Sequence, residues 1–168
     1  LLTVNSLPTV GSTVSPISAA VCAGGNVTLG GTGASSYSWS GGVTNATAFT
    51  PASTGTYTVT ATDPTNGCTA TINKTVGTSA ALSVSVDGFS RTCAIKPDGS
   101  AYAVVTGGVA TYTYLWSNSD TSATITGLAP GTYTATVTDT YGCTATNSIL
   151  VGNVPNLNAS ISNQVNNL

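Results

Sequence analysis

At 168 residues the chain has room for one or two domains. Three basic residues, Lys74, Arg91 and Lys96, stand against five aspartates, with no His, Glu or Met. So few cations cannot neutralise a run of phosphates, which argues against nucleic acid as a partner. No apolar run approaches the ~20 residues that span a bilayer, which argues against membrane insertion. The imidazole that most acid–base and nucleophilic chemistry relies on is absent, no serine sits in a GxSxG elbow, and the chain reads as no enzyme.

Taken in order, residues 1 to 10 read as a linker or the end of a preceding connection, stiffened by Pro8. Ser12 to Ala20 holds a first strand interrupted by Pro16. Cys22 precedes a strand at Asn26 to Gly30, and Ser36 to Ser40 forms a third with Tyr37 and Trp39 on one face. Gly41 and Gly42 turn the chain, and a short strand follows at Thr47 to Thr50. Gly55 onward (GTYTVTATDPTNGC) alternates strictly, the mark of a strand with one face buried and one wet. Asp63 to Gly67 supplies turn residues, since Asp and Asn hydrogen-bond their own backbone and Gly accepts positive φ. Cys68 to Val76 is the last strand of this half, and Gly77 to Ala80 reads as a short linker that alone would hinge.

The second half repeats the first. Strands are expected at Ala81 to Val86, Ser100 to Thr106, Tyr112 to Trp116, Ser122 to Leu128, around Tyr133, and at Cys143 to Val151. The stretch from Gly131 (GTYTATVTDTYGC) is a near-copy of that from Gly55. Seven short strands with turns every 8 to 12 residues predict an all-β chain of two tandem immunoglobulin-like antiparallel β-sandwiches. The expected modules cover 11–77 and 81–152. Trp39, Tyr57, Trp116 and Tyr133 are the expected core aromatics. Residues 155–168 line up with the opening of the second copy and read as the first strand of a following unit, so the chain reads as a piece of a longer array. That strand could lie loose or add to another chain's sheet edge.

Four cysteines, Cys22, Cys68, Cys93 and Cys143, in small Thr-rich β-domains read as disulfides of an oxidising compartment. No two have CxxC spacing and no His completes a zinc set, so metal sites and cofactors are not expected. Pairing within each copy, Cys22 with Cys68 and Cys93 with Cys143, is the simplest arrangement. It meets a geometric difficulty: the two positions lie at opposite ends of a sandwich whose strands span ~26 Å, whereas a disulfide needs Cα atoms within about 7 Å. Pairing Cys22 with Cys143 would instead staple one copy to the next and stiffen the array, with Cys68 and Cys93 bonding to units elsewhere. Both arrangements stay open, as do free or otherwise paired cysteines.

The second copy resembles the SprB repeat of Bacteroidetes gliding-motility adhesins. The resemblance rests on the Gly107-Gly108 step, Tyr114-Leu-Trp116-Ser, Ile125-Thr-Gly-Leu128, Gly131-Thr-Tyr133 and Asp139-Thr-Tyr-Gly-Cys143, and covers about Ala81 to Val151. Val109-Ala110, where the family often carries prolines, and the Cys93 to Gly99 loop depart from its pattern. The first copy resembles the PKD-like, immunoglobulin-like modules of the same surface proteins through VCAGGNVTLGG, SYSWSGG and GTYTVTATDPTNGC. The resemblance implies a very large secreted or cell-surface protein of tandem modules, exported by the type IX system. Its expected partners are neighbouring repeats and other copies in a filament.

Two other readings keep their place beside this one. In a carbohydrate-binding module, Tyr102, Tyr112 or Tyr141 would stack on the rings of surface glycans. In a self-assembling fibre, residues 156–168 would dock on a neighbour's edge. Asp63 and Asp139 recur at the same place in both copies; turn capping accounts for them, and a calcium role is the weaker reading because neither has a second carboxylate nearby in sequence.

Overall fold

The structure, a computed structural model, describes residues 6–89, 91–93 and 98–154. The expected strand at 156–168 lies outside them. The chain separates into two compact units. The first holds the residues up to Ser83 together with Thr106–Thr113 and Thr138–Ala145; the second holds Val84–Val105, Tyr114–Val137 and the residues from Thr146 on. Two loops of the second sequence copy therefore belong to the first unit.

The first copy builds seven strands: β1 (Gly11–Ser15), β2 (Ala20–Val21), β3 (Val27–Thr32), β4 (Ser36–Trp39), β5 (Ala48–Phe49), β6 (Gly55–Thr62) and β7 (Thr69–Thr78). They form two sheets, ordered β1-β3-β5 and β2-β7-β6-β4. The break at Pro16 is structural: β1 pairs antiparallel with β3, while β2, just beyond, switches sheets and pairs parallel with β7. The long β6–β7 ladder runs from Gly55↔Val76 to Thr62↔Thr69. Its alternation places Val59 and Ala61 inward with no exposure, and Thr58 and Thr60 outward. Val21, Val27, Leu29, Trp39, Val59 and Val76 fill the space between the sheets.

The second copy repeats this topology with β8 (Ser83–Phe89), β9 (Arg91–Cys93), β10 (Gly99–Thr106), β11 (Thr113–Trp116), β12 (Thr124–Leu128), β13 (Gly131–Thr138) and β14 (Thr144–Val154). The sheets are β12-β10-β8 and β11-β13-β14-β9, and β9 again joins the last strand in parallel. Ala101, Trp116, Ile125, Leu128, Ala135 and Val151 make its core. Both copies are thus immunoglobulin-like sandwiches, each with a tryptophan, on β4 or β11 at one edge of its four-stranded sheet, packed between the two sheets.

The four expected core aromatics divide by depth. Trp39 and Trp116 are buried, and each indole N–H finds an acceptor: Asn45 Oδ1 at 3.0 Å and the Ser122 carbonyl at 2.8 Å. Tyr57 and Tyr133 are half-buried at the core's edge. Tyr57 meets Phe49 edge-on with centroids 5.2 Å apart, and the Tyr133 hydroxyl donates to the Ala129 carbonyl at 3.1 Å. That last bond, from the start of a strand back to the preceding turn, is the tyrosine corner of this fold class.

Candidate functional site: the Asp139 turn and the Cys22–Cys143 bridge

Within the first unit, the turn between β13 and β14 (Asp139 to Cys143) is organised around one buried carboxylate. Asp139 is 5% exposed. Its Oδ1 accepts the backbone N–H groups of Tyr141 at 2.8 Å and Cys143 at 2.9 Å. Its Oδ2 accepts the Ser79 hydroxyl at 2.7 Å and the Val109 N–H at 3.0 Å. Four donors from three separate stretches thus converge on one side chain. Burial pushes its pKa up, but the donors from Ser79, Cys143, Val109 and Tyr141 together outweigh that and hold it below the ordinary 3.8. The carboxylate is therefore kept charged by hydrogen bonds rather than by an ion pair.

Local sequence explains how each donor arrives. Gly107 and Gly108 both have φ near +70°, a region other residues enter at a cost. A Cβ on Gly107 would fall 1.9 Å from the Ala81 carbonyl oxygen, so this step is closed to any side chain. It swings the chain so that Val109 faces Asp139, while the Thr140 N–H returns a bond to the Val109 carbonyl at 3.1 Å. Ser79 follows β7 directly, and its N–H bonds the Val21 carbonyl at 2.9 Å. Gly77 to Ala80, read from sequence as a hinge, is therefore no free linker. β7 runs two residues further than expected, to Thr78, and Ser79 is buried because its hydroxyl has a charged acceptor.

Cys22 lies one residue beyond β2 and is bonded to Cys143, with S–S 2.06 Å and Cα atoms 5.6 Å apart across 121 residues of sequence. The bridge therefore joins the two sequence copies. Strand geometry explains why Cys22 does not reach Cys68. β2 pairs Ala20 with Gly77 near the end of β7, while Cys68 lies just before its start. About nine residues separate these points, roughly 30 Å along a strand, far beyond disulfide reach. Cys68 is half-buried and carries no disulfide among the described residues. Cys93 lies at the end of β9, paired in register with Val154, and its side chain is outside the described residues.

Asp63, the counterpart of Asp139, sits in a turn one residue longer. It accepts the Thr65 N–H at 2.8 Å, and the amide of Cys68 is taken instead by Asn66 Oδ1 at 2.8 Å. The Thr65 backbone N–H is the largest influence and holds the Asp63 carboxyl below its ordinary value. A cation at Asp139 would have to displace the donors already pointed at both of its oxygens, so its surroundings suit an anion fixed by N–H and O–H groups, not a calcium ligand.

The three tyrosines considered for glycan stacking do not share a unit. Tyr102, in the second, is 41% exposed with its hydroxyl 3.4 Å from Asp87 Oδ2. Tyr112 and Tyr141 belong to the first. The Tyr112 hydroxyl donates to the Gly107 carbonyl at 2.7 Å. The Tyr141 ring lies over Gly77, where an added Cβ would come within 2.6 Å of its hydroxyl. These two are engaged in holding the turn region.

Residues 90–121, which take in β9, β10 and β11, match the family model of the SprB repeat. Over that stretch the chain is similar to the SprB repeat. The matched stretch of the repeat contains both Gly107-Gly108 and the core Trp116. No curated protein matches the chain. Among solved structures it is similar to the C-terminal 282-residue fragment of intimin, crystallised with the intimin-binding domain of the translocated intimin receptor. That likeness has 15% identity and a TM-score of 0.58, over 88% of this chain and 64% of that one. The chain thus spans less than two thirds of the intimin fragment. It is also similar to three N-terminal domains of the highly immunogenic outer capsid protein of bacteriophage RB49, at 18% identity and TM-score 0.43 over 88% of this chain and 59% of that one. A Dscam structure follows at 13% identity and TM-score 0.39, over 80% of this chain and 42% of that one. The intimin likeness bears on fold alone and agrees with the immunoglobulin-like sandwiches of the two copies.

Proposed function

We propose that this chain is a non-catalytic structural and adhesive segment of a large, repetitive extracellular surface protein. Its modules at 11–77 and 81–152 serve as a covalently stapled spacer and contact surface. The observation that carries the reading is the Cys22–Cys143 bridge, which ties one sequence copy to the next beside the buried Asp139. A disulfide of this kind belongs to an oxidising compartment, and the SprB repeat supports a surface protein. The SprB resemblance extends the reading to gliding-motility filaments exported by the type IX system. The intimin fragment was crystallised with a receptor domain, and by analogy the exposed faces of this chain are where a surface ligand would be met.

Mechanical unfolding tests the spacer role. With the bridge intact, the segment between Cys22 and Cys143 cannot lengthen when the chain is pulled from its ends. Reduction should release it and add roughly 400 Å of contour length, at about 3.5 Å for each of the 121 residues of separation. Equal contour lengths before and after reduction would overturn the proposal.

A further inference from the structure

Backbone register makes the cysteines of the two copies equivalent in pairs. β2 pairs Ala20 with Gly77, and Cys22 follows two residues after Ala20. β9 pairs Arg91 with Gly152, and Cys93 follows two residues after Arg91. Gly77 and Gly152 each come directly after a fully buried core valine, Val76 or Val151. Cys93 is therefore the Cys22 of the second copy. At the other end of the sandwich, Cys68 and Cys143 each close an Asp-led turn, and in both the Asp N–H donates to the cysteine carbonyl at 2.9 Å. Cys68 is therefore the Cys143 of the first copy.

Of the two turn cysteines, Cys143 is bonded to a Cys22-type residue, and Cys68 carries no disulfide among the described residues. Each of the two turns also borders a concavity. Cys22, Ala81, Leu82 and Cys143 line a cavity of about 410 Å³ beside the formed bridge. Leu7, Pro8, Ala34, Asp63 and Pro64 line one of about 440 Å³ at the opening of the turn that Cys68 closes, and Cys68 is not among its lining residues.

We infer that Cys68 is a second stapling point, built to take a Cys22-type cysteine of another module of this kind as Cys143 takes Cys22. The inference rests on the stapled-spacer reading and deepens it. In a solution of this chain the partner is a second copy, whose cysteine at the Cys22 position is Cys93, so chains join head to tail through Cys68–Cys93 bonds. The bond forms by thiol–disulfide exchange with a small disulfide oxidant such as oxidised glutathione. One thiolate attacks the oxidant and releases one reduced thiol; the second cysteine then attacks the mixed disulfide and releases the other. Two thiols are oxidised, one S–S bond forms, and the oxidant's S–S bond is reduced to two thiols.

The test uses the full chain, concentrated with oxidised glutathione, and read by non-reducing electrophoresis with peptide mapping. The expected result is a ladder of oligomers containing the Cys68–Cys93 linkage. C68S and C93S should each lose the ladder, and a mixture of the two should stop at a dimer, since only one complementary pair remains. Homotypic Cys68–Cys68 and Cys93–Cys93 dimers in comparable yield, or glutathione adducts without oligomers, would overturn the inference. The same maps report on Cys22–Cys143. If that bond is present and Cys68–Cys93 is absent, this inference alone falls; if it is absent as well, the spacer reading falls with it.

Discussion

Asp63 and Asp139 hold the same place in the repeat and differ in what they bind together. The turn led by Asp139 is one residue shorter, so its carboxylate reaches the Cys143 amide itself and also gathers Ser79 and Val109. Asp139→Ala would leave four donors in a largely buried place without their acceptor, and should lower unfolding free energy by about 3 kcal/mol in denaturant titration. Asp63→Ala removes one exposed turn bond and should have a clearly smaller effect. The pH dependence follows from the sign of the shift. Asp139 has a folded pKa below its unfolded value, so its stabilisation is fully present above about pH 4 to 5 and is lost as pH falls through the lowered value. Unfolding free energy measured between pH 5 and 2 should therefore decline less in Asp139→Asn than in the parent. Equal declines would show that the carboxylate is not the group responsible.

At the scale of elements, alternation and turn chemistry made most strands legible. β6 and β13 follow the period of two that their Thr residues mark, and the tryptophans of β4 and β11 point inward between the sheets. Trp116→Ala should cost about 3–5 kcal/mol, because it removes the largest buried side chain of its core; loss of near-ultraviolet ellipticity at a lower denaturant midpoint would report it. Other features were not legible, for physical reasons. Pro16 signalled an interruption, but not that the chain changes sheets there, since sheet choice depends on partners distant in sequence. Gly77 to Ala80 looked like a hinge because Gly, Thr, Ser and Ala have no strong preference; the buried acceptor that orders Ser79 lies 60 residues away. Asn45 sits in a loop, and no local pattern marks that its Oδ1 accepts both the Trp39 indole N–H and the Gly31 N–H. Tyr141 looked like a stacking surface, and its ring instead lies over Gly77.

At the scale of the whole molecule, the account turns on a covalent bond between the two copies. In the chain-entropy picture a crosslink over this separation raises stability mainly by restricting the unfolded chain, typically by about 2–4 kcal/mol. A C22S/C143S double variant should lose stability of that order while keeping its β-sheet circular dichroism, because neither core includes the bridge. The most direct measurement is non-reducing peptide mapping of the four cysteines by mass spectrometry on protein purified from its native source without reductant. The expected result is a Cys22–Cys143 linked peptide. Cys22–Cys68 together with Cys93–Cys143 would contradict it and leave two independently crosslinked modules in place of a stapled pair.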